Sequence, residues 1–260
     1  MPKFAANLSF LFTESSFLDR FEQAALAGFK GVEYLFPYEH PASLLADRLL
    51  THGLEQVLFN LPPGDWQGGE RGLASLPGRE AEFREGVEAA IEYAFQLDCR
   101  RLHCMAGLHD GKFAFEDQEA SYIANLQWAA DRLKETGITL LIEPINSRID
   151  MPGYWLDSIV KARNLLRSIN RSNVRLQLDL YHAQIIQGDL ARCITESFAE
   201  LGHIQIADNP GRHEPGSGEV NYPYLFRLLD QLGYSGWVGC EYKPAECTLA
   251  GLGWMQRWAS

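Results

Sequence analysis

Eight times along these 260 residues a short apolar run is followed by a longer stretch of helical spacing. The runs are Phe4–Ser9, Val32–Leu35, Leu54–Phe59, Arg101–Met105, Ile138–Glu143, Val174–Asp179, His203–Ala207 and Trp237–Tyr242. The helical stretches are Ser16–Ala27, Pro41–His52, Arg79–Leu97, Glu116–Thr136, Leu156–Ser168, Asp189–Glu200, Tyr222–Leu232 and Leu249–Trp258. Several stop at a glycine, such as Gly28 or Gly53, where a left-handed residue can end a helix. Strands alternating with helices imply a parallel sheet. Eight such units without a compositional break predict an α/β fold, a (β/α)8 TIM barrel with residues 1–260 as a single domain. A doubly wound open sheet is the alternative. It is weakened because the first strand ends in Asn7-Leu8-Ser9 rather than in a GxGxxG turn.

The charge narrows the partners. Thirty-four acidic residues against 23 basic ones leave a formal net charge of −11. Phosphate backbones and anionic lipid surfaces both select a cationic footprint, so nucleic acid and membrane are disfavoured. No apolar stretch reaches the ~18 residues of a membrane span, and MPKFAANLSF lacks the apolar core of a signal peptide. The five cysteines are odd in number and form no CxxC pair, which fits a reducing cytoplasm. Loops rich in aromatics leave self-association into a homo-oligomer open, with no surface singled out.

Four polar residues close the last four apolar runs: Glu143 in LLIEPIN, Asp179 in VRLQLDLYH, Gln205 in HIQIADNP and Glu241 in WVGCEYKP. In such a barrel the strand C-termini share one face, so these groups meet around one point. Three carboxylates there repel one another unless a cation or a shared proton compensates. Four oxygen donors describe a hard-cation site for Mg2+ or Mn2+, and zinc is disfavoured because no His or Cys is among them. Taken singly, any of these acids is as readily a satisfied buried polar group or an Arg partner; the common register carries the argument. His182, three residues past Asp179, can polarise a substrate oxygen or cap the following helix. Arg212, Arg71 and Lys243 lie in loops after strands and are candidates for a substrate carboxylate, although lone loop cations are usually solvated. Asn7, Glu33, Asn60 and His103 end or flank the first four strands and could line the opposite wall. Trp66 and Phe36 could close the pocket from above, or simply pack in the core.

A cation held between carboxylates can chelate a carbonyl and an adjacent hydroxyl and stabilise the enediolate left when a carbon-bound proton is removed. Two glutamates flanking that chelate, Glu143 and Glu241, can take the proton from one carbon and return one to its neighbour. The reaction class is aldose–ketose isomerisation or epimerisation of a 2-oxo-hydroxy compound.

The segments FAANLSFLF, GVEYLFPYE, FNLPPGDWQGGERGLASLPGRE, LLIEPIN, LDLYHAQ, HIQIADNPGRHEPGSGEVNY and GWVGCEYKP carry a resemblance over nearly the whole chain. The chain resembles the hydroxypyruvate isomerase family of the xylose-isomerase-like barrels. The resemblance implies interconversion of hydroxypyruvate and 2-hydroxy-3-oxopropanoate in glyoxylate metabolism. It casts Glu143 and Glu241 as the proton-transfer pair and, with Asp179 and Gln205, as metal ligands. Related sugar epimerases carry histidine where this chain has Gln205. A 2-oxo-tetronate isomerase is the nearest alternative within the family. Two readings from other classes remain: a metal-dependent phosphodiesterase on the same barrel, which would use many histidines where this chain has seven in all, and a non-catalytic barrel that binds sugar acids.

Overall fold

The computed structural model describes residues 2–258. Eight strands close into one parallel barrel in sequence order, with the first bonded to the last. They are β1 (Lys3–Asn7), β2 (Gly31–Glu33), β3 (Glu55–Asn60), β4 (Arg101–His103), β5 (Thr139–Ile142), β6 (Val174–Asp179), β7 (Leu201–Ile206) and β8 (Trp237–Cys240). The expected (β/α)8 barrel is therefore observed. The outer ring consists of α1 (Arg20–Leu26), α2 (Ala42–His52), α3 (Glu80–Gln96), α4 (Phe115–Lys134), α5 (Ile159–Ile169), α6 (Leu180–Ile186), α7 (Leu190–Ser197) and α8 (Tyr222–Gln231).

Most expected boundaries hold within a few residues. α2 ends where Gly53 turns left-handed at φ 63° and its N–H caps the helix carbonyls. Two elements differ in kind. The last helical stretch is a 3-10 run over Ala250–Trp258. The short helix α6 has no counterpart in the sequence reading. It starts directly at Asp179, whose carboxylate accepts the N–H of Tyr181 and caps it. One residue thus ends a strand and starts a helix, and the helix swings His182 back over the barrel mouth.

Side chains along a barrel strand alternate between outside and inside. Outward residues such as Phe4, Val32, Leu102, Leu140, Ile142, Leu178, Ile204 and Val238 join the large core beneath the helices. The floor of the barrel interior is apolar, formed by Ala5, Val57, Leu58, Leu141 and Trp237. Above it the interior turns polar. Glu33 and His203 are fully buried and bonded to each other, Nε2 to Oε2, at 2.7 Å. Gly239 lies opposite that carboxylate, and a Cβ there would collide with both Glu33 carboxylate oxygens. Gly239→Ala is accordingly expected to lower the unfolding free energy by about 1–3 kcal/mol. Urea denaturation would show it as a lower midpoint at unchanged slope; an unshifted midpoint would mean that Glu33 has room to move.

Candidate active site

Strand alternation places one inward polar residue after another at the barrel mouth: Asn7 on β1, His103 on β4, Gln177 and Asp179 on β6, and Gln205 on β7. Glu143 and Glu241 follow the last residues of β5 and β8. Of these, His103, Glu143, Gln177 and Glu241 line a cavity of about 330 Å3 at the C-terminal end of the barrel, where they meet His182 and, from the loop after β3, Trp66 and Arg71. The expected convergence of strand ends is observed, and its members hold one another in a directed chain.

The chain starts at Glu33. Its Oε1 accepts from Asn7 Nδ2 at 3.1 Å and from Gln205 Nε2 at 2.8 Å. The same two amide groups also donate to Glu241 Oε2, at 3.0 and 2.6 Å. Two carboxylates that both need donors therefore fix Gln205 with its nitrogen between them. Its oxygen is left to accept from Gln177 Nε2 at 2.6 Å, and Gln177 Nε2 also donates to Glu143 Oε2 at 3.0 Å. The predicted pair Glu143 and Glu241 is thus joined through two amides. Gln205, expected to offer oxygen to a cation, turns its nitrogen to Glu241, because Glu33 beneath it also demands a donor.

Burial penalises the charged forms of Glu143, Asp179 and Glu241. Glu143 is pushed far above the usual carboxylate range by burial, then by Glu241 and Asp179. Burial raises Glu241 to about 8 despite the opposing Arg212 guanidinium. Asp179 rises to about 6 through burial, again against Arg212. Arg212 supplies the local positive charge. Its NH1 donates to Asp150 at 2.9 Å and its NH2 to Glu241 Oε1 at 2.7 Å, with Asp179 Oδ2 3.9 Å away. The guanidinium packs between the rings of Phe10 and Tyr181, 4.9 and 5.0 Å from their centroids. Its backbone takes a left-handed φ of 55°, which a non-glycine residue adopts at a cost. The loop that holds it is organised by buried Asp208, which accepts four backbone N–H groups from Asn209, Gly216, Gly218 and Val220. Arg212, a candidate for the substrate carboxylate, spends two of its N–H groups on the carboxylates of Asp150 and Glu241.

Glu143, Asp179 and His182 bring potential ligand atoms within 4.8 Å of one another. The sequence reading left histidine out of this group, because α6, which returns His182 to the mouth, was not foreseen. Asp179 Oδ2 is buried and has no hydrogen-bond partner among the described residues. A bare carboxylate oxygen beside a second carboxylate fits a divalent cation. The protonation of His182 is set from behind. Asn146 Oδ1 accepts the N–H groups of Ile149 and Asp150, so Asn146 Nδ2 faces His182 Nδ1 at 2.7 Å and donates to it. Nε2 then carries the hydrogen and points towards Asp179 and Glu143, 3.7 and 4.0 Å away. His182 is a neutral donor into the site, its pKa lowered to about 3 by burial and by Arg212. The carboxylates are the better ligands.

The other candidate cations differ from Arg212. Arg71 is half-buried, stacks its guanidinium 4.0 Å from the Trp66 ring centroid and gives NH1 to the carbonyls of Trp66 and Glu70. It makes no ion pair among the described residues. Trp66 in turn packs on Phe36 at 5.1 Å, as a roof over that side. Lys243 is exposed at the rim, with its backbone tied to Arg212 and His213. Sequence reasoning missed Gln177, Asn146, Asp150 and Asp208. The signal for Gln177 was present: a polar residue two before Asp179, on the same face of an otherwise apolar strand.

Paired buried acids at the mouth of a closed β/α barrel are an arrangement that can move protons. The profile of the xylose isomerase-like TIM barrel family matches residues 21–258. A 2-oxo-tetronate isomerase of Cupriavidus necator is 52% identical, over 98% of each chain. A hydroxypyruvate isomerase of Escherichia coli is 48% identical, again over 98% of each. A crystal structure described as an AP endonuclease, family 2, from Brucella melitensis superposes with a TM-score of 0.97 at 53% identity, covering 99% of both chains. The chain belongs to the xylose isomerase-like TIM barrel family, and it is an isomerase.

The raised acids have a consequence for stability. Asp179 and Glu241 hold their protons to higher pH when folded than when unfolded, so the stability this contributes is lost as pH rises through about 6 and about 8. In chelator-treated protein the unfolding free energy is expected to fall between about pH 5 and pH 8, by at most ~1.4 kcal/mol per pH unit for each group. Arg212→Met removes the counter-charge and should steepen the fall. Flat profiles in both proteins would mean that the acids stay ionised throughout.

Proposed function

We propose that this isomerase interconverts hydroxypyruvate and 2-hydroxy-3-oxopropanoate by proton transfer between Glu143 and Glu241. The observation that carries the reading is the asymmetry of those two acids around one cavity. Glu241 accepts from Arg212, Asn7 and Gln205, three donors that offset part of the burial that raises it to about 8. Among the described residues Glu143 accepts from Gln177 alone, and it faces other carboxylates, which favours its protonated form. Groups whose surroundings pull their protonation states apart divide the work of base and acid. Glu241 takes the proton from C3 of hydroxypyruvate, the electrons of that C–H bond form the C2–C3 double bond of an enediol, and Glu143 delivers a proton to C2. The C2=O π electrons pass to O2, which takes up the proton that leaves O3 as the C3 aldehyde forms; Glu241 ends protonated and Glu143 ionised, and proton exchange with solvent resets the pair. The His182 Nε2–H is placed to donate to a substrate oxygen.

A divalent cation, Mn2+ or Mg2+, would be held by Asp179 and by Glu143 in the ionised form it reaches on giving up its proton, and would supply Lewis-acid polarisation of the carbonyl and its neighbouring hydroxyl. Glu241 and Gln205 stand next along the same wall. Arg71, with unused N–H groups and a fixed stacked geometry, suits the substrate carboxylate better than Arg212, which already serves Asp150 and Glu241. The acidic surface charge of −11 speaks against a nucleic acid substrate. No helix among the described residues is long and apolar enough to cross a membrane. The five cysteines are unpaired, which supports a reducing cytoplasm.

The four-carbon acid is the second reading, favoured by the name of the 52% identical relative. Pure enzyme given hydroxypyruvate or the four-carbon 2-oxo acid in D2O should place deuterium on carbon, and the faster substrate identifies the branch. Glu143→Gln and Glu241→Gln should each cut exchange by about 10^2–10^4-fold while the circular dichroism spectrum is retained. Normal turnover in either variant would remove that residue from the mechanism. Chelator should slow exchange and added Mn2+ restore it; indifference to both would exclude a cation.

A further inference from the structure

Among the unpartnered buried polar atoms of the cavity-lining residues, which include Arg212 Nε, two can act as acceptors. Gln177 Oε1 and His103 Nε2 make no hydrogen bond among the described residues, although their side chains are almost wholly enclosed and both residues line the cavity. A buried polar atom without a partner costs free energy, and native proteins seldom leave one at a wall without a use.

The hydrogen-bond chain makes each of these atoms an acceptor. Glu33 and Glu241 fix the Gln205 nitrogen between them, the Gln205 oxygen then requires a donor, and Gln177 Nε2 is that donor. Gln177 Oε1 is therefore turned the other way, with both hydrogens of its amide used on Gln205 and Glu143. His103 Nδ1 lies 3.2 Å from Asn60 Oδ1, which can only accept, so Nδ1 carries the hydrogen and Nε2 keeps its lone pair. That nitrogen lies 3.4 Å from Glu143 Oε2, the same oxygen that accepts from Gln177. Both open acceptors thus flank one acid of the proton-transfer pair.

We infer that Gln177 and His103 form a hydroxyl-recognition subsite, which receives the O–H group on the substrate carbon beside its carbonyl. The inference rests on the isomerase reading for the position of the substrate and adds to it a selectivity. A site that leaves two acceptors bare when a hydroxyl is missing rejects the deoxy acid, as hydroxyl-reading pockets reject analogues that lack the group. The enzyme then accepts 3-hydroxy-2-oxo acids and discriminates against pyruvate-like acids that share the carboxylate and carbonyl. Gln177 has a second duty as a positioning residue, because its nitrogen holds Glu143 Oε2 at 3.0 Å.

Binding of inert acids tests the subsite separately from catalysis. D-glycerate carries the terminal hydroxyl and lactate lacks it, and neither has the ketone needed for turnover. Calorimetric titration of the Mn2+-loaded enzyme should show glycerate binding about 10- to 100-fold more tightly than lactate, the range expected for one unsatisfied buried acceptor. Gln177→Met should bring the two affinities within about 3-fold of each other by weakening glycerate alone. His103→Phe gives a second route if the first variant unfolds, and Gln177→Glu, which keeps an acceptor oxygen, should restore part of the preference. Equal affinities in the wild-type enzyme, or equal weakening of both acids in the variants, would overturn the subsite. Deuterium exchange on hydroxypyruvate reports on the isomerase reading independently of either result.

Discussion

Four carboxylates, those of Glu33, Glu143, Asp179 and Glu241, are buried together at the upper end of one barrel. At this depth each would repel the others, because burial weakens the screening that charges have at the surface. The arrangement holds because the negative charge is met by one guanidinium, by protons retained on the acids and by amide hydrogens aimed at carboxylate oxygens. Arg212 is the only arginine or lysine whose ion pairs reach these acids among the described residues. Its placement requires the Asp208-organised loop, the Phe10 and Tyr181 rings and the Asp150 contact. The cost of gathering the acids and the structure of the loop after β7 are therefore two sides of one constraint.

The amides convert that constraint into orientation. Asn7, Gln177 and Gln205 each could turn in two ways in isolation. Glu33, anchored by His203 above an apolar floor, removes the choice for Gln205, and each amide then dictates the next. The outcome is two glutamates of one residue type with different surroundings: one rich in donors, the other poor in them. This is the condition under which a pair of equal acids can act as base and acid in turn. Asn146 does the same for His182 from the opposite side, so the site presents a fixed set of donors and acceptors to a small polar acid.

A shared barrel does not fix the chemistry it carries. Solved structures at about a fifth sequence identity share the fold, as a 3-keto-D-glucoside 4-epimerase of Escherichia coli does with a TM-score of 0.78. What this chain adds is local: Gln205 between two carboxylates, and Arg71 held flat on Trp66 in a Gly- and Pro-rich loop. Both are features of side-chain environment rather than of architecture.

The sequence by itself determined the barrel and the end of it that works. Apolar runs of strand length alternating with helical periods leave few foldable topologies, and a strand end is a local property. Glu143, Asp179, Gln205 and Glu241 could be placed on one face for that reason. Only the tertiary structure decided what each group does there. The direction of the Gln205 amide depends on Glu33, 172 residues away in sequence. The use of Arg212 depends on Asp150, and the tautomer of His182 depends on Asn146. Helix α6, which brings His182 into the group, begins on a side chain already assigned to a strand. Hydrogen-bond direction and charge compensation are relations between residues brought together by folding, and no single stretch of sequence contains them.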